Sequence, residues 1–496
     1  MNLPTSRRWL LASGAALGAV PLLPATVRAE TAPKRLVAGT GSLEVDGKPA
    51  RVFRLTGPDG RPGITLEPGE RFAVDLVNQA GGRTIIHWHG QLPPWTDDGF
   101  PWPQTPPIAP GATKSYDFAP IPGTFWMHSH QGLQEQGLMA APLIVRDAAE
   151  LREDRQDIVL LLHDFSFRAP DELLAGLIRT TPEQAHAMAR QIENLSSPQP
   201  PSRSAGQSGM TAMPMNGMHM GSGMAMDLND IAYDAYLAND RTLSDPEIVR
   251  VGKGGRLRLR IINGASASQF WIDLGSLAGR VVAADGHPVH PVPGSRFPIA
   301  IAQRLDILID LPRHGAFPVL AQVEGRRDRA GIVLATQGAR IGRIAALAPH
   351  PAKPVDNTLE ARLSAMRPIR PRRPDRVHRI VLSGRMTPFA WALNGQYWPK
   401  IEPLMLTKGQ RVEIELVNRS MMAHPMHLHG HAFQVIALDG KPIAGAVRDT
   451  VLVQPRMGSV RIAFDADNLG RWAFHCHNLY HMMTGMMMEF RYHGIV

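Results

Sequence analysis

The feature of this 496-residue chain that most constrains its fold is a ten-residue pattern that occurs three times. Each copy begins with glycine, has arginine two residues later, continues as a largely alternating apolar and polar run, and ends with asparagine seven residues after the arginine. The copies occupy residues 69–78, 254–263 and 409–418. Alternation with a period of two is typical of a half-buried β-strand that ends at a turn. The three copies therefore predict three homologous all-β domains, each a sandwich or a barrel.

The composition agrees with this interpretation. The chain has 46 glycines and 43 prolines, and aromatic residues make up 6% of it, which favours short strands and turns over long helices. A length of 496 residues predicts two or three domains of ordinary size. The single cysteine, Cys476, excludes an intramolecular disulfide, so the fold depends on its cores or on bound metal.

The N-terminus has the pattern of an export signal. Arg7 and Arg8 precede an apolar stretch that runs to about Leu23, and residues 27–29 offer a small-residue cleavage site. The pattern predicts a twin-arginine signal over residues 1–29, read by the Tat translocon and leading to the periplasm. An ordinary secretory signal with two arginines is the alternative. No later apolar run is long enough to span a bilayer.

A stretch rich in proline and arginine, residues 367–376, separates the second and third domains. We interpret residues 346–378 as a solvated linker. The predicted domains are residues 30–148, 149–345 and 379–496. The formal net charge is +9, but no aromatic residues are interleaved with the basic run, so nucleic acid is not predicted as a partner.

Histidine pairs follow the first and third copies of the pattern. A His-x-His pair begins nine residues after the asparagine in each of these domains, and a second pair follows a glycine by five residues. The four pairs are His87/His89, His128/His130, His427/His429 and His475/His477. Residues i and i+2 of a strand point to one face, so each pair aims two imidazoles at one place. The middle domain has Ile272 and Leu274 at this offset, which predicts an architectural role.

Strand parity predicts a second, separate metal site. His424 and Cys476 face away from the neighbouring histidine pairs, and His481 and Met486 follow the cysteine by five and ten residues. One cysteine, two histidines and a distant methionine form the ligand set of a blue-copper electron-transfer centre. Zinc bound by cysteine and two histidines is the competing interpretation, which the neighbouring cluster of eight histidines disfavours.

The first domain does not repeat this second site. Thr84 and Ser129 occupy the positions that match His424 and Cys476, and neither suits a blue-copper centre. The sequence therefore predicts one mononuclear centre and one polynuclear cluster between the first and third domains. Electrons can pass from the mononuclear centre through the cysteine sulfur and the adjoining backbone to the cluster.

The histidine segments resemble the four copper motifs of three-domain multicopper oxidases. The matching segments read His-Trp-His-Gly, His-Ser-His, His-Pro-Met-His-Leu-His-Gly and His-Cys-His-Asn-Leu-Tyr-His-Met-Met-Thr-Gly-Met. The resemblance implies three Greek-key cupredoxin domains and four coppers that couple one-electron oxidations to the reduction of dioxygen to water. It assigns the type 1 copper to His424, Cys476, His481 and axial Met486, the type 2 copper to His87 and His427, and the type 3 pair to His89, His128 and His477 on one copper and to His130, His429 and His475 on the other.

The same resemblance implies an acid that supplies protons to the cluster. Asp98 matches this position, with Asp97 beside it, and the alternative is an exposed acid in a proline-rich loop. Some members have a second acid directly after the last type 1 histidine, where this chain has Met482. Glu135 and Glu489 are the remaining candidates, which the sequence does not rank.

Methionine indicates the electron donor. Seven of the 23 methionines lie in residues 210–226, among glycine, serine and proline residues that make a poor core. Soft thioethers select Cu(I). The candidate Cu(I) ligands of this segment are Met213, Met215, Met218 and Met220. Met422 matches a substrate-copper methionine of cuprous oxidases, although Ser420 replaces the nearby aspartate and flexible core filling is the alternative role.

Three functions compete on these grounds. The preferred hypothesis is a periplasmic oxidase that converts Cu(I) to Cu(II) in copper tolerance, with dioxygen as acceptor. A methionine axial ligand predicts a moderate redox potential, which suits Cu(I) better than resistant phenols. The alternatives are a laccase acting on phenols or aromatic amines, and a protein that sequesters copper without turnover.

Overall fold

The computed structural model describes residues 32–193, 228–312 and 314–495. The predicted export signal and the methionine-rich residues 210–226 lie outside these ranges, so they stay predictions. Within these ranges no helix is both long enough and apolar enough to cross a membrane.

The first domain is a pair of four-stranded sheets. Its strands are β1 (Lys34–Val45), β2 (Lys48–Thr56), β3 (Ile64–Leu66), β4 (Phe72–Asn78), β5 (Ile86–His87), β6 (Thr113–Phe118), β7 (Gly123–Ser129) and β8 (Ala140–Val145). The strand orders are β2-β1-β4-β6 and β3-β8-β7-β5. In β4 the buried residues alternate with half-buried ones, as the first copy of the sequence pattern predicts. Its buried face packs in an apolar core with β7 and β8.

The middle domain has larger sheets. Its strands are β9 (Gln156–Phe165), β10 (Ala235–Ala238), β11 (Ile248–Arg250), β12 (Arg256–Asn263), β13 (Phe270–Asp273), β14 (Gly279–Ala284), β15 (His287–Gly294), β16 (Arg296–Ile299), β17 (Arg304–Asp310), β18 (Ala316–Val323) and β19 (Arg329–Ala335). They form sheets of order β10-β9-β12-β17-β14-β15 and β11-β19-β18-β13-β16.

The third domain repeats the order of the first. Its strands are β20 (Arg376–Met386), β21 (Phe389–Leu393), β22 (Leu404–Leu406), β23 (Arg411–Asn418), β24 (His424–Leu428), β25 (Phe433–Leu438), β26 (Lys441–Pro442), β27 (Val447–Arg448), β28 (Thr450–Val453), β29 (Ser459–Asp465), β30 (Arg471–Cys476) and β31 (Met487–Tyr492). One sheet runs β21-β20-β23-β29-β25-β26, with β27 beside β25, and the other runs β22-β31-β30-β24-β28. In this second sheet β22, β31, β30 and β24 follow the order of β3, β8, β7 and β5.

Helices are few in the described ranges. They are α1 (Ala148–Arg152), α2 (Pro170–Ile178), α3 (Pro182–Glu193) and α4 (Leu479–Met483), with single 3-10 turns at Trp95–Asp97, Lys253–Gly255 and Glu360–Arg362. Asn478 caps α4, because its side chain accepts hydrogen bonds from the backbone N–H groups of Tyr480 and His481. This cap fixes the helix directly after β30.

The asparagine that ends each copy of the pattern has the same role in all three domains. Asn78, Asn263 and Asn418 are buried, and each accepts a hydrogen bond at Oδ1 from the backbone N–H two residues later. Each side-chain amide also donates to backbone carbonyls of the following loop. The asparagine side chain has both a donor and an acceptor, so it can bond to backbone N–H and C=O groups of the same turn and stabilise it. The structure thus explains why asparagine ends the pattern, and it confirms the predicted three-domain all-β fold.

The segment between the second and third domains is partly packed. Leu359 and Leu363 are buried in the apolar core, whereas Arg367 and Arg373 are exposed. Strand β20 begins at Arg376, so its first residues fall within the predicted linker. The domain boundaries themselves stay predictions.

Candidate metal centre

The eight predicted cluster histidines lie between the first and third domains. Strands β5 and β7 and the residues after them supply four imidazoles, and β24 and β30 with the residues after them supply the other four. All eight side chains are buried, with exposed fractions of 4% or less. The structure groups them into overlapping sets of three possible ligands whose donor atoms lie within 4.8 Å of one another. The alternation of side chains along a strand, which predicted that these imidazoles converge, therefore holds in both the first and the third domain.

His87 and His427 form one facing pair. Their Nε2 atoms are 3.4 Å apart. His87 Nδ1 donates to the backbone carbonyl of Asp98 at 2.7 Å, and His427 Nδ1 donates to that of Asp449 at 2.8 Å. A carbonyl oxygen only accepts, so each Nδ1 carries the proton and each Nε2 presents a lone pair.

His429 and His475 form a second facing pair, with Nε2 atoms 3.0 Å apart. His475 Nδ1 donates to the carbonyl of Cys476 at 2.9 Å, and His429 Nδ1 donates to Asp98 Oδ2 at 2.8 Å. Both Nε2 lone pairs therefore point at each other. His130 packs against both rings, and its buried Nε2 has no hydrogen-bond partner in the described part of the chain.

The remaining three cluster histidines meet on the other side. His128 Nε2 lies 3.4 Å from His477 Nε2 and 3.4 Å from His89 Nδ1. His89 Nε2 lies 3.0 Å from Asp449 Oδ1, which leaves Nδ1 to face the other two rings. Glu135 Oε2 lies 2.8 Å from His128 Nδ1. Carboxylates behind ligand histidines orient the rings and raise their basicity.

This arrangement fits a cation. Burial, together with the neighbouring histidines, lowers the pKa of His475 to about 3 and holds the pKa of His130 well below its ordinary value, so the rings are neutral at neutral pH. Facing lone pairs at 3.0 to 3.4 Å repel each other, and a cation between them turns repulsion into coordination. Imidazole nitrogens suit copper, and they also suit zinc, iron and nickel.

Cys476 lies in a second cluster on the opposite face of its strand. Its Sγ is 3.6 Å from His424 Nδ1 and 3.7 Å from His481 Nδ1, and these two nitrogens are 3.1 Å apart. Burial raises the pKa of the Cys476 thiol. Met486 is buried, and its carbonyl accepts a hydrogen bond from the Cys476 backbone N–H at 3.1 Å. Two imidazole nitrogens and one sulfur thus form a triangle that suits a single copper ion.

Polar side chains behind this second cluster orient its histidines. Ser420 Oγ lies 2.7 Å from His424 Nε2, and Asp230 Oδ2 lies 3.0 Å from His481 Nε2. Both contacts favour a proton on Nε2, which leaves each Nδ1 free to face the thiol. Asp230 is a buried carboxylate of the middle domain, and sequence reasoning missed it because no spacing links it to a histidine motif.

The two neighbouring acids of the first predicted position have different surroundings. Asp98 is buried against His87 and His429, which excludes the exposed loop acid. Asp97 is partly exposed and lies 3.6 Å from Lys114 Nζ. Asp98 is thus the acid of this loop that reaches the cluster.

The structure also separates the two unranked acids. Glu135 contacts a cluster histidine, and burial raises its pKa well above the ordinary value. Glu489 forms ion pairs with Arg471 and Arg491. Its pKa is lowered by hydrogen bonds to these arginines, which outweigh the opposing effect of burial. Of these two acids, Glu135 is therefore the one that contacts the cluster.

A buried ion pair supports the cluster from outside. Asp449 contacts His89, and its pKa is held well below the ordinary range by Arg304, against the effect of burial. Arg304 Nη1 donates to Asp449 Oδ1 at 2.8 Å. Neither residue was found from the sequence, because β17 of the middle domain brings Arg304 to this place.

Met422 lines a small cavity beside the second cluster. The cavity has a volume of about 30 Å³. Met421, Leu228, Glu324 and Asn478 also line it. The candidates Met213, Met215, Met218 and Met220 lie outside the described residues.

Comparisons with known proteins agree with this geometry. Three family models, each described as multicopper oxidase, match residues 39–150, 205–340 and 370–493. Multicopper oxidase MmcO of Mycobacterium tuberculosis is 33% identical over 451 residues, covering 89% of this chain and 83% of that protein. Copper resistance protein A of Escherichia coli is 27% identical over 575 residues, covering 92% of each. Laccase-1 of Botryotinia fuckeliana is 26% identical over 508 residues, covering 92% of this chain and 81% of that protein.

Solved structures share the fold. The crystal structure of Fet3p, a multicopper oxidase that functions in iron import, has a TM-score of 0.71 at 21% identity and covers 92% of this chain and 90% of that chain. The laccase-like multicopper oxidase CueO of Ochrobactrum sp. has a TM-score of 0.66 at 22% identity and covers 92% and 96%.

Proposed function

Because the chain belongs to the multicopper oxidase family, we propose that its residues hold four coppers, which when bound would supply one-electron transfer from a reducing substrate and four-electron reduction of dioxygen to water. The proposed type 1 ligands are His424, Cys476, His481 and Met486. The proposed type 2 ligands are His87 and His427, and the proposed type 3 ligands are His89, His128, His477, His130, His429 and His475. The facing lone pairs of these histidines are the observation that carries this assignment.

The chain itself provides a short connection between the two metal sites. Cys476 is covalently joined to His475 and His477, which belong to the cluster. His475 Nδ1 also donates to the Cys476 carbonyl at 2.9 Å, so a hydrogen bond runs parallel to the backbone link. Both connections hold the sulfur and the cluster imidazoles at fixed separation, which favours rapid electron movement over a short distance.

We propose two buried acids as the proton supply of the cluster. Asp98 Oδ2 accepts a hydrogen bond from His429 Nδ1, and its Oδ1 lies 3.3 Å from His87 Nδ1. Glu135 lies 2.8 Å from His128 on the opposite side. Formation of water consumes protons, and carboxyl groups at these two positions carry them to the cluster while the surrounding core excludes bulk water.

We propose Cu(I) as the substrate. Met421 and Met422, which shortly precede His424 in the chain, both line the small cavity, and thioethers select Cu(I). Asp230 adds a negative charge against His481, which favours a cationic donor. The cavity volume of about 30 Å³ is far below the roughly 300 Å³ or more of an organic ligand site.

Two further observations support a role in copper tolerance. Leu228, which follows the methionine-rich residues 210–226 by two positions in the sequence, lines this same cavity. One relative is named copper resistance protein A. The proposed location is the periplasm, reached by the twin-arginine signal over residues 1–29.

A laccase is the second candidate, because several relatives are named laccases. Oxygen uptake by the copper-loaded protein with Cu(I) and with a phenol separates the two. Deletion of residues 210–226 should lower the rate with Cu(I) and leave the rate with the phenol equal or higher. A control variant keeps the segment length but replaces its seven methionines by leucine, and it should behave like the deletion with Cu(I).

Unchanged Cu(I) kinetics in both variants would contradict Cu(I) as the substrate. A fully loaded protein that consumes no oxygen with either donor would instead identify a copper-sequestering protein.

A further inference from the structure

Four residues of the first domain occupy the positions that match the four proposed type 1 ligands of the third domain. The counterparts of His424, Cys476, His481 and Met486 are Thr84, Ser129, Gln134 and Met139. In both domains the first residue follows the asparagine of the repeat by six positions, and the last two follow the second by five and ten. Three of the four ligands are replaced, and the methionine is kept.

The backbone around these positions is the same in both domains. The Ser129 N–H donates to the Met139 carbonyl at 3.0 Å, and the Met139 N–H donates to the Gln134 carbonyl at 3.0 Å. The matching bonds in the third domain run from Cys476 to Met486 at 3.1 Å and from Met486 to His481 at 3.0 Å. The loop that returns the methionine to the cysteine therefore also returns Met139 to Ser129.

The replaced side chains also converge. Thr84 Oγ1 donates to Gln134 Oε1 at 2.7 Å, and Ser129 Oγ donates to the same oxygen at 2.8 Å. Gln134 Nε2 donates to the Arg83 carbonyl at 2.9 Å. Met139 is fully buried. Two hydroxyls and an amide thus take the positions of the thiol and two imidazoles, and they satisfy one another without a metal.

With the proposed ligands of the third domain as a template, we propose that the first domain retains the complete scaffold of a second mononuclear copper site. The hydrogen-bonded group of Thr84, Ser129 and Gln134 closes this site, because neutral hydroxyl and amide oxygens are poor ligands for copper. Of the two outer domains, the third then provides the entry site for electrons and the first does not. Restoring the three ligand types is sufficient to make the scaffold bind copper.

A cavity next to Gln134 gives room for the substitution at that position. Gln134, Gly82, Arg83 and Gln131 line a cavity of about 610 Å³ that reaches the group from outside. The Gln131 side chain is buried, and its Oε1 has no hydrogen-bond partner in the described residues, so this wall offers a free acceptor next to the group. An imidazole at position 134 and an entering ion both have space here.

The test is a gain of copper binding in the full-length chain with Cys476→Ser. That background should lose the blue colour, which leaves the visible spectrum clear. Adding Thr84→His, Ser129→Cys and Gln134→His should restore an intense thiolate-to-copper band and raise the copper content by one ion per chain. Ser129→Cys alone should restore neither, because it lacks the imidazoles. Adding Met139→Leu to the full set should shift the band and the copper hyperfine splitting.

A double variant provides a second test in case the triple variant misfolds. Ser129→Cys with Gln134→His should bind Co(II) with a thiolate charge-transfer band, and circular dichroism reports whether each variant folds. A folded variant set that binds no additional metal would overturn the inference, and so would misfolding of both sets, since the scaffold is held to accept these ligands. Retention of the blue colour by Cys476→Ser alone would instead contradict the type 1 assignment in the third domain.

Discussion

Asp230 is the residue whose charge most directly separates the candidate substrates. Its Oδ2 lies 3.0 Å from His481 Nε2, and an asparagine at this position still offers an accepting oxygen there. Asp230→Asn therefore keeps the ring orientation and removes the charge. We expect kcat/KM for Cu(I) to fall by about 10- to 100-fold, with a smaller effect on a neutral phenol. Steady-state oxygen uptake measures both, and Asp117→Asn on exposed β6 is the matched control. Equal losses with both donors would contradict a charge effect.

Glu135 and Glu489 form a matched pair for proton supply. Glu135→Gln removes a proton carrier that lies 2.8 Å from His128, so we expect kcat to fall by about 10²-fold or more, with a changed solvent isotope effect. Glu489→Gln breaks ion pairs with Arg471 and Arg491, so we expect lower thermal stability and an unchanged isotope effect. The reverse pattern would place the proton route at Glu489.

Glu324 gives a pH-dependent stability with a definite sign. Burial raises its pKa from 4.5 to about 7, so the folded state binds the extra proton between these values and loses stability as the pH rises through this window. Glu324→Gln stays neutral and should be more stable than the parent protein above pH 7, by about 3 kcal/mol, and equal to it below pH 4.5. The variant can keep its contacts, because Gln269 Oε1 has no other partner in the described chain and can accept the new amide. Thermal unfolding at several pH values measures the difference, and a pH-independent difference would contradict this assignment.

At the scale of elements, the alternation of β30 is what separates the two metal sites. Cys476→Ser removes the sulfur on one face and leaves His475 and His477 on the other. We expect loss of the blue colour and of turnover, with the copper of the eight-histidine cluster retained. Copper analysis and electron paramagnetic resonance distinguish the two effects. Loss of all copper would show that the strand does not keep the sites independent.

The same alternation explains which parts of the site were predictable. A period of two is a local property. Residue order alone therefore predicts that His427 and His429 point to the same face of their strand and that Cys476 points away from the histidines on either side of it. Asp230, Arg304 and Asp449 reach the metal sites through contacts between domains, and their spacing in the chain carries no trace of those contacts. Sequence therefore yields the ligand strands, and only packing reveals the groups behind the ligands.

At the scale of the whole molecule, a second buried ion network joins the middle and third domains. Arg448 donates to Asp285 Oδ2 at 2.9 Å and also pairs with Glu360. Arg448→Met leaves the buried Glu360 without a counter-charge and leaves Asp285 with Arg304 as its remaining arginine. We expect a loss of about 3–5 kcal/mol and a lower Tm, more at pH 8 than at pH 5, because burial raises the pKa of Glu360 and this group can take up a proton at the lower pH. Calorimetry measures this, with exposed Arg461→Met as the control. A Tm loss equal at both pH values would contradict the charge argument.

The position of the cluster between the outer domains also determines when, during synthesis of the chain, all of its ligands become available. His128 and His477, whose Nε2 atoms lie 3.4 Å apart, are separated by 349 residues of chain. A nascent chain that ends before β30 lacks His475 and His477 and can present only six of the eight imidazoles. A metal ion that binds during synthesis therefore has an incomplete set of ligands, which discriminates less well between metals. With the proposed ligands, we therefore expect stable copper insertion to follow synthesis of both outer domains, and a filled cluster then requires that both have folded and packed together.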